Sequence, residues 1–238
     1  MDTHLHHTHT PHTENHLTSS EFLRDIVIGM SDGLTVPFAL AAGLSGAVND
    51  SHIIVIAGIA EIAAGSIAMG LGGYLSGKTE QDHYVNEEKR EYYEVENLRE
   101  RELEETKEFF ANIGLSKELQ EKATAEISQD KKRWVDFMML YELGLEKPDP
   151  KRATKSALNI GLSYIAGGII PLLPYFFIAK SSEALQYSFV VTLICLFVFG
   201  YFKSKITGVN PWVGALKVML IGTLAAAAAF GIAKLFGA

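Results

Sequence analysis

The sequence predicts an all-α membrane protein with five transmembrane helices and a three-helix cytosolic insert between the second and third spans. Five runs of 19 to 25 residues carry one charged residue or none, and a helix needs about 20 apolar residues to cross the hydrocarbon core. In addition, 34 of the 49 charged residues lie between Lys78 and Arg152. A soluble domain would spread its charge more evenly, so the chain combines an apolar part and a highly charged part.

The five apolar runs are the expected transmembrane helices. They cover residues 26–48, 53–77, 156–179, 184–202 and 212–233. The first two spans are assigned to a segment of residues 21–77, and the last three to residues 153–238. The first run is too long for a signal peptide, and no cleavage site is recognisable near Val48.

Lysine and arginine residues beside the spans predict the orientation. Arg24 precedes the first span, Lys203 and Lys205 follow the fourth, and residues 78–152 hold 14 basic side chains. The positive-inside rule therefore predicts a cytosolic N-terminus and a cytosolic insert. Five spans then place the C-terminus on the far side of the membrane.

The N-terminal tail, residues 1–20, holds six of the eight histidines. Its composition cannot support a packed core, so we expect a disordered His-rich tail, with at most weak metal affinity. The single cysteine, Cys195, excludes a disulfide within the chain and a cysteine-based metal site.

The insert, residues 78–152, is expected to form three helices. Positions 79–112 contain no Gly or Pro and are rich in Glu, Lys, Arg and Leu, which predicts one long helix continuing from the second span. A third helix should end near Leu143. The expected helix stops are Gly114 and Gly144, and the expected N-caps are Ser116 and Asp130.

One face of the predicted long helix carries a row of glutamates. At about 100° per residue, the residues in this narrow arc are Glu80, Glu87, Glu91, Glu94, Glu102 and Glu105, with Leu98 interrupting the row. Residues three apart share a face, so the E-x-x-E pairs at 91–94 and 102–105 should repel. The nearby basic residues mostly fall elsewhere, and a bound cation would offset this repulsion.

Oxygen-rich clusters of this kind bind divalent cations, and nearby thioethers favour a transition metal over Mg²⁺ or Ca²⁺. The third helix supplies both a carboxylate and two thioethers. The predicted cytosolic metal site is Glu91, Glu94, Glu102, Glu105, Met138, Met139 and Glu142. The residues leave one alternative open, in which the glutamates form a solvated acidic face and the methionines fill a core.

Two acids lie inside predicted spans. Asp32 is about ten residues from the cytosolic start of its span, roughly 15 Å deep, and an intramembrane carboxylate suggests function. On the second span Met69 follows Glu61 by eight residues, so one broad face can carry both. The expected transport path is therefore Asp32, Glu61 and Met69. The alternatives are a structural hydrogen bond for Asp32 and simple packing for Met69.

Small residues crowd the first two spans, so we expect these helices to pack closely on each other or across a dimer axis. Membrane carboxylates joined by one helix to a cytosolic acidic cluster indicate divalent metal transport. A carboxylate that releases its proton when metal binds also suggests proton exchange.

At these residues the chain resembles a known family. The motif GMSDGLTVPFALAAGL at 29–44, the motif AEIAAGSIAMGLGGYLSGKTE at 60–80 and the Glu-rich insert closely resemble plant vacuolar iron transporters, from Glu21 to the C-terminus. The resemblance implies a homodimer in the vacuolar membrane that moves Fe²⁺ from the cytosol into the vacuole in exchange for protons. The pore would lie between the first spans of two subunits, and the cytosolic domain would gather metal.

The resemblance also assigns the membrane site and the cytosolic site to the residues given above. The cargo would be Fe²⁺ and further divalent metals such as Co²⁺, Ni²⁺, Zn²⁺ or Mn²⁺. No tightly bound cofactor and no nucleic-acid partner are expected.

Two other classes remain as alternatives. A membrane-tethered di-iron ferroxidase would use paired E-x-x-E or E-x-x-H patterns on bundled helices. Glu80 and His83 form a single E-x-x-H without a partner on a second helix, so an enzyme is not expected. A passive metal channel would show no proton dependence of flux, and a membrane-tethered metal sensor would show no flux.

Overall fold

The computed structural model describes residues 16–236, with the side chains of residues 21–235. Within this range the elements are α1 (His16–Ala47), α2 (Ser51–Asn97), α3 (Arg99–Asn112), α4 (Lys117–Ile127), α5 (Lys131–Phe137), a π-helical turn (Met138–Glu142), α6 (Arg152–Phe177), α7 (Ser181–Ile206) and α8 (Pro211–Phe236). The first helix thus begins inside the predicted tail. The rest of that tail, residues 1–15, lies outside the described residues.

Five of the described helices are long and apolar enough to cross a membrane, namely α1, α2, α6, α7 and α8. The prediction of five spans is confirmed. Apolar side chains suit these segments to the hydrocarbon core. The helical form suits them as well, because a helix satisfies all of its backbone hydrogen bonds internally where no water is available.

The chain divides into two compact units. Of the described residues, one unit comprises those up to Leu71 and those from Ser156 onward, and the other is Gly72–Lys155. In the first unit, α1 lies against α7 and α8. Its main core contains Ile54, Ile62 and Leu172.

Glycines bring α6 close to both α1 and α2. A Cβ atom placed on Gly33 of α1 would lie 2.9 Å from the Tyr164 Cα of α6, and one on Gly65 of α2 would lie 2.6 Å from the Tyr164 ring. Both distances are shorter than real Cβ contacts allow. At these two positions the close packing expected of small residues is made with α6, a neighbour that the sequence did not indicate. The alternative of packing across a dimer axis stays a prediction.

The loops at one end of this unit are tied together. The Ser51 N–H donates to the Ala179 carbonyl at 3.0 Å, and the Ser181 N–H donates to the Asn49 carbonyl at 3.1 Å. These reciprocal bonds join the α1–α2 loop to the α6–α7 loop, so that the two helical hairpins share one fixed end.

The unit Gly72–Lys155 departs from the predicted three helices. The single long helix expected over 79–112 is wrong, because α2 ends at Asn97 and α3 begins at Arg99. Leu98 has φ −124° and ψ 32°, outside the right-handed helical region. Neither Gly nor Pro marks the break, which is why composition did not reveal it.

The other helix ends follow the prediction more closely. Gly114 and Gly144 adopt φ values of +92° and +64°, which glycine tolerates better than other residues. The Asp130 side chain accepts a hydrogen bond from the Arg133 N–H at 2.8 Å. Ser116 occupies the N-cap position of α4 but makes no side-chain capping bond.

Candidate metal sites

Three glutamates converge in the unit Gly72–Lys155. Glu91 lies on α2, Glu102 on α3 and Glu142 on the π turn, and one carboxylate oxygen from each lies within 4.8 Å of the others. On one straight helix, Glu91 and Glu102 would be about 16 Å apart along the axis. The break at Leu98 therefore changes the direction of the chain and creates the cluster.

The inner carboxylates of this cluster are buried without partners. Glu91 is 2% exposed and Glu102 is 0% exposed. Among the described residues, Oε2 of Glu91 and both side-chain oxygens of Glu102 have no hydrogen-bond partner. Burying an unpaired charge is unfavourable unless a counter-charge offsets it. The cluster is thus chemically suited to a cation.

The same environment changes the acidity of the cluster. Burial raises the pKa of Glu91 to about 7, and the charge of Glu102 adds to this effect. Burial also raises the pKa of Glu102 to about 7, with Glu105 and Glu94 adding to the shift. The pKa of Glu142 is raised mainly by burial and then by Glu105. Near neutral pH the cluster holds protons that a divalent metal would displace.

The outer glutamates have basic neighbours. Arg101 Nε lies 2.8 Å from Glu105, and Arg90 Nε lies 3.9 Å from Glu94. The expectation that basic residues fall away from the row was wrong for these two arginines. Glu94 and Glu105 nevertheless remain close enough to raise the pKa of Glu102, so they border the cluster. Glu80, by contrast, is exposed and is not part of the converging trio.

Met138 and Met139 are each 1% exposed and belong to a core with Tyr84, Val95 and Trp134. The Leu143 N–H bonds to the Met138 carbonyl at 3.1 Å, five residues back, and such wide turns often occur at functional sites. The Met138 sulfur lies 3.4 Å from the Thr106 hydroxyl oxygen. Both methionines therefore fill a core, and Met138 also contacts the helix that carries Glu102.

The candidate membrane residues are distributed over α1 and α2. Asp32 of α1 is partly buried. Glu61 of α2 accepts a hydrogen bond from the Tyr164 hydroxyl, and its Oε2 is buried without a partner among the described residues. Met69 is partly buried two turns further along α2. Within the described chain, the convergent acidic trio is Glu91, Glu102 and Glu142, and the acids Asp32 and Glu61 do not belong to a second such group.

Two membrane residues were missed by sequence reasoning. Tyr164 connects α1, where its main chain contacts Gly33, to the Glu61 carboxylate on α2. Asp25 is 1% exposed and accepts hydrogen bonds from the Ser156 hydroxyl at 3.0 Å and the Asn159 amide at 3.4 Å. The signal available for Tyr164 was an aromatic side chain with a hydroxyl group in a span that contains no charged residue. For Asp25 the signal was its spacing of seven residues from Asp32, which places both acids on one helix face.

The chain matches known proteins over nearly its whole length. A family model described as the VIT family matches residues 23–234. "Vacuolar iron transporter 1" of Oryza sativa subsp. japonica is 51% identical over 96% of this chain and 90% of its own length. "Vacuolar iron transporter 1" of Arabidopsis thaliana is 52% identical over 94% of this chain and 89% of its own. "Protein CCC1" of Saccharomyces cerevisiae is 40% identical over 90% of this chain and 69% of its own.

Proposed function

This chain belongs to the VIT family, and we propose that it transports Fe²⁺ from the cytosol into the vacuole in exchange for protons. Relatives at 51% and 52% identity carry the name vacuolar iron transporter. The observation that supports metal handling most directly is the convergence of Glu142 with the buried Glu91 and Glu102, whose carboxylates carry oxygens with no partner among the described residues. It is a transporter and not an enzyme, in line with the names of its relatives.

In this proposal the cytosolic unit gathers metal. Glu91, Glu102 and Glu142 hold the ion at the centre, Glu94 and Glu105 add negative charge beside it, and the methionines supply sulfur. Carboxylate oxygen together with thioether makes this site favour Fe²⁺, Co²⁺, Ni²⁺ or Zn²⁺ over Mg²⁺. We include Mn²⁺ among the metals that the protein transports. Raised pKa values at the trio mean that metal binding releases protons near neutral pH.

The membrane path consists of Asp32, Glu61 and Met69. A carboxylate in an apolar span can bind a cation or a proton but not both at once, which couples the two fluxes. Two copies of Asp32 would supply more ligands than one, so we propose a homodimer with the path at or near its two-fold axis. The N-terminus and the insert face the cytosol, as the positive-inside rule predicts.

Reconstituted liposomes test this proposal. Purified protein should take up Fe²⁺ under reducing, anaerobic conditions while a dye inside the vesicles reports proton efflux. Asp32→Asn should abolish both signals, whereas Asp82→Asn, at an exposed position paired with Lys78, should leave both intact.

Other outcomes distinguish the alternatives. Uptake without proton movement would identify a passive channel, and no uptake would identify a sensor. Oxygen consumption on adding Fe²⁺ would indicate a ferroxidase.

A further inference from the structure

The hydroxyl of Thr106 connects the helix of Glu102 with the sulfur of Met138. Thr106 and Trp134 are fully buried, and Met138 is 1% exposed. The Trp134 indole N–H donates to Thr106 Oγ1 at 2.8 Å. Thr106 Oγ1 lies 2.7 Å from the Glu102 carbonyl and 3.4 Å from Met138 Sδ. No feature of the sequence had singled out Thr106 or Trp134.

We propose that Thr106 is a positioning residue that holds the Met138 thioether at the cytosolic metal site and thereby sets its preference for softer divalent metals. This inference rests on the proposed metal binding by Glu91, Glu102 and Glu142. The inference goes beyond that proposal because it assigns the placement of the Met138 sulfur to Thr106, a residue that would not touch the metal.

The spacing along the two helices supports this role. Thr106 follows Glu102 by four residues, so both side chains lie on one face of α3. Met138 precedes Glu142 by four residues on the π turn, which places them near each other around that axis. The Met138 sulfur contacts the face of α3 that carries Glu102, and it comes from the π turn that also carries Glu142, so the contact with Thr106 fixes its position at that face.

The hydrogen bonds of the Thr106 hydroxyl leave the Met138 sulfur available to bind metal. Thr106 has one proton to donate, and its oxygen already accepts the Trp134 N–H. The proton has two acceptors within reach, the Glu102 carbonyl and the Met138 sulfur. A carbonyl is the stronger acceptor, so with metal bound the Thr106 hydroxyl would donate its proton to the Glu102 main-chain carbonyl and leave the sulfur lone pairs free for the metal. No buried donor is left unpaired by this exchange.

The network is anchored at its other end. The Arg99 guanidinium lies 4.9 Å from the centre of the Trp134 ring, and Arg99 also donates to the Ser128 carbonyl at 3.1 Å. The indole is thus held in place and directs its N–H toward Thr106. Loss of a residue that fixes the orientation of a metal ligand without binding the metal itself typically lowers metal affinity by about ten- to a hundredfold.

The test compares Zn²⁺ with Mn²⁺ by calorimetry on the full chain in detergent. The Glu102→Gln variant measures any binding elsewhere, which is then subtracted. Thr106→Val removes the hydroxyl and should weaken Zn²⁺ binding about tenfold while Mn²⁺ binding changes less than about twofold. Thr106→Ser should restore the wild-type ratio of the two dissociation constants. Thr124→Val, at a buried threonine whose hydroxyl has no partner in the described part of the chain, is the matched control and should change neither.

A double-mutant cycle shows whether Thr106 acts through the sulfur. In a Met138→Leu background, Thr106→Val should produce no further change in the metal ratio. If Thr106→Val does not fold, Thr106→Ala removes the same hydroxyl without adding a methyl group against the indole. An equal loss for both metals, no change in the ratio, or failure of Thr106→Ser to restore it would overturn the inference. Equal binding by wild type and Glu102→Gln would instead overturn the proposed cytosolic site, and this inference with it.

Discussion

Replacing Glu102 by Gln should stabilise the metal-free protein and remove most of its stabilisation by metal. The wild-type carboxylate is fully buried, has no hydrogen-bond partner among the described residues, and lies near Glu91 and Glu142. Glutamine has nearly the same shape without the charge. The variant therefore removes the repulsion and the metal ligand in a single change.

The size of the effect follows from the pKa. In the unfolded chain the Glu102 carboxyl has its ordinary pKa of 4.5, and in the folded protein about 7. The folded state binds the proton more tightly than the unfolded state. The loss of folding stability caused by the ionised carboxylate is therefore absent below about pH 4.5 and complete above about pH 7. At pH 8 the difference between the two pKa values lowers the free energy of unfolding by about 3 kcal/mol. The buried amide leaves polar atoms without partners at a cost of about 1–3 kcal/mol, which leaves a net gain on the order of 1 kcal/mol.

Trp134 reports this unit selectively. The chain has two tryptophans, and Trp212 is 62% exposed, so a Trp212→Phe background isolates the signal of the buried Trp134. At pH 8 with a chelator, Glu102→Gln should raise the unfolding midpoint by about 5 °C. Saturating Zn²⁺ should raise the midpoint of the wild type clearly and that of the variant much less.

Glu104→Gln, at an exposed position of the same helix, is the control and should behave like the wild type in both conditions. Two results would refute the reasoning. One is a metal-free Glu102→Gln protein that melts several degrees below the wild type. The other is an undiminished shift with Zn²⁺, which would mean that Glu102 does not bind the metal.

Three further predictions concern pH, transport and assembly. The metal-free wild type should lose stability as pH rises from about 5 to 8, because Glu91 and Glu102 bind protons more tightly when folded; a flat profile of the Trp134 midpoint would contradict this. Asp32→Ala should abolish Fe²⁺ uptake into liposomes without lowering the thermal midpoint, and near-normal uptake would remove Asp32 from the path. Mass measurement in detergent should give a dimer, and a transporting monomer would be incompatible with a path at a two-fold axis.

The sequence alone determined the features that depend on local chemistry. Five spans follow from the length and apolarity of five runs, because the hydrocarbon core has a fixed thickness. The helix stops at Gly114 and Gly144 follow from the tolerance of glycine for positive φ. The cap at Asp130 follows from a side chain that can accept a backbone N–H. Each of these properties belongs to a few consecutive residues.

The metal-site prediction shows the limit of such reasoning. Glu91 and Glu102 were placed on one face of one helix, where about 16 Å of axial rise would separate them. In the structure they meet because the chain turns at Leu98. The residues were chosen for their chemistry, but the predicted geometry would have kept them apart.

Only the tertiary structure decided which atoms meet across long stretches of chain. The Thr106 hydroxyl reaches the Trp134 indole and the Met138 sulfur, and the Tyr164 hydroxyl reaches Glu61 across 103 positions. Neither contact leaves a period or motif in the sequence. The physical reason is that apolarity and capping act along the chain, whereas these contacts arise where helices distant in sequence pack together and the buried polar groups must find partners.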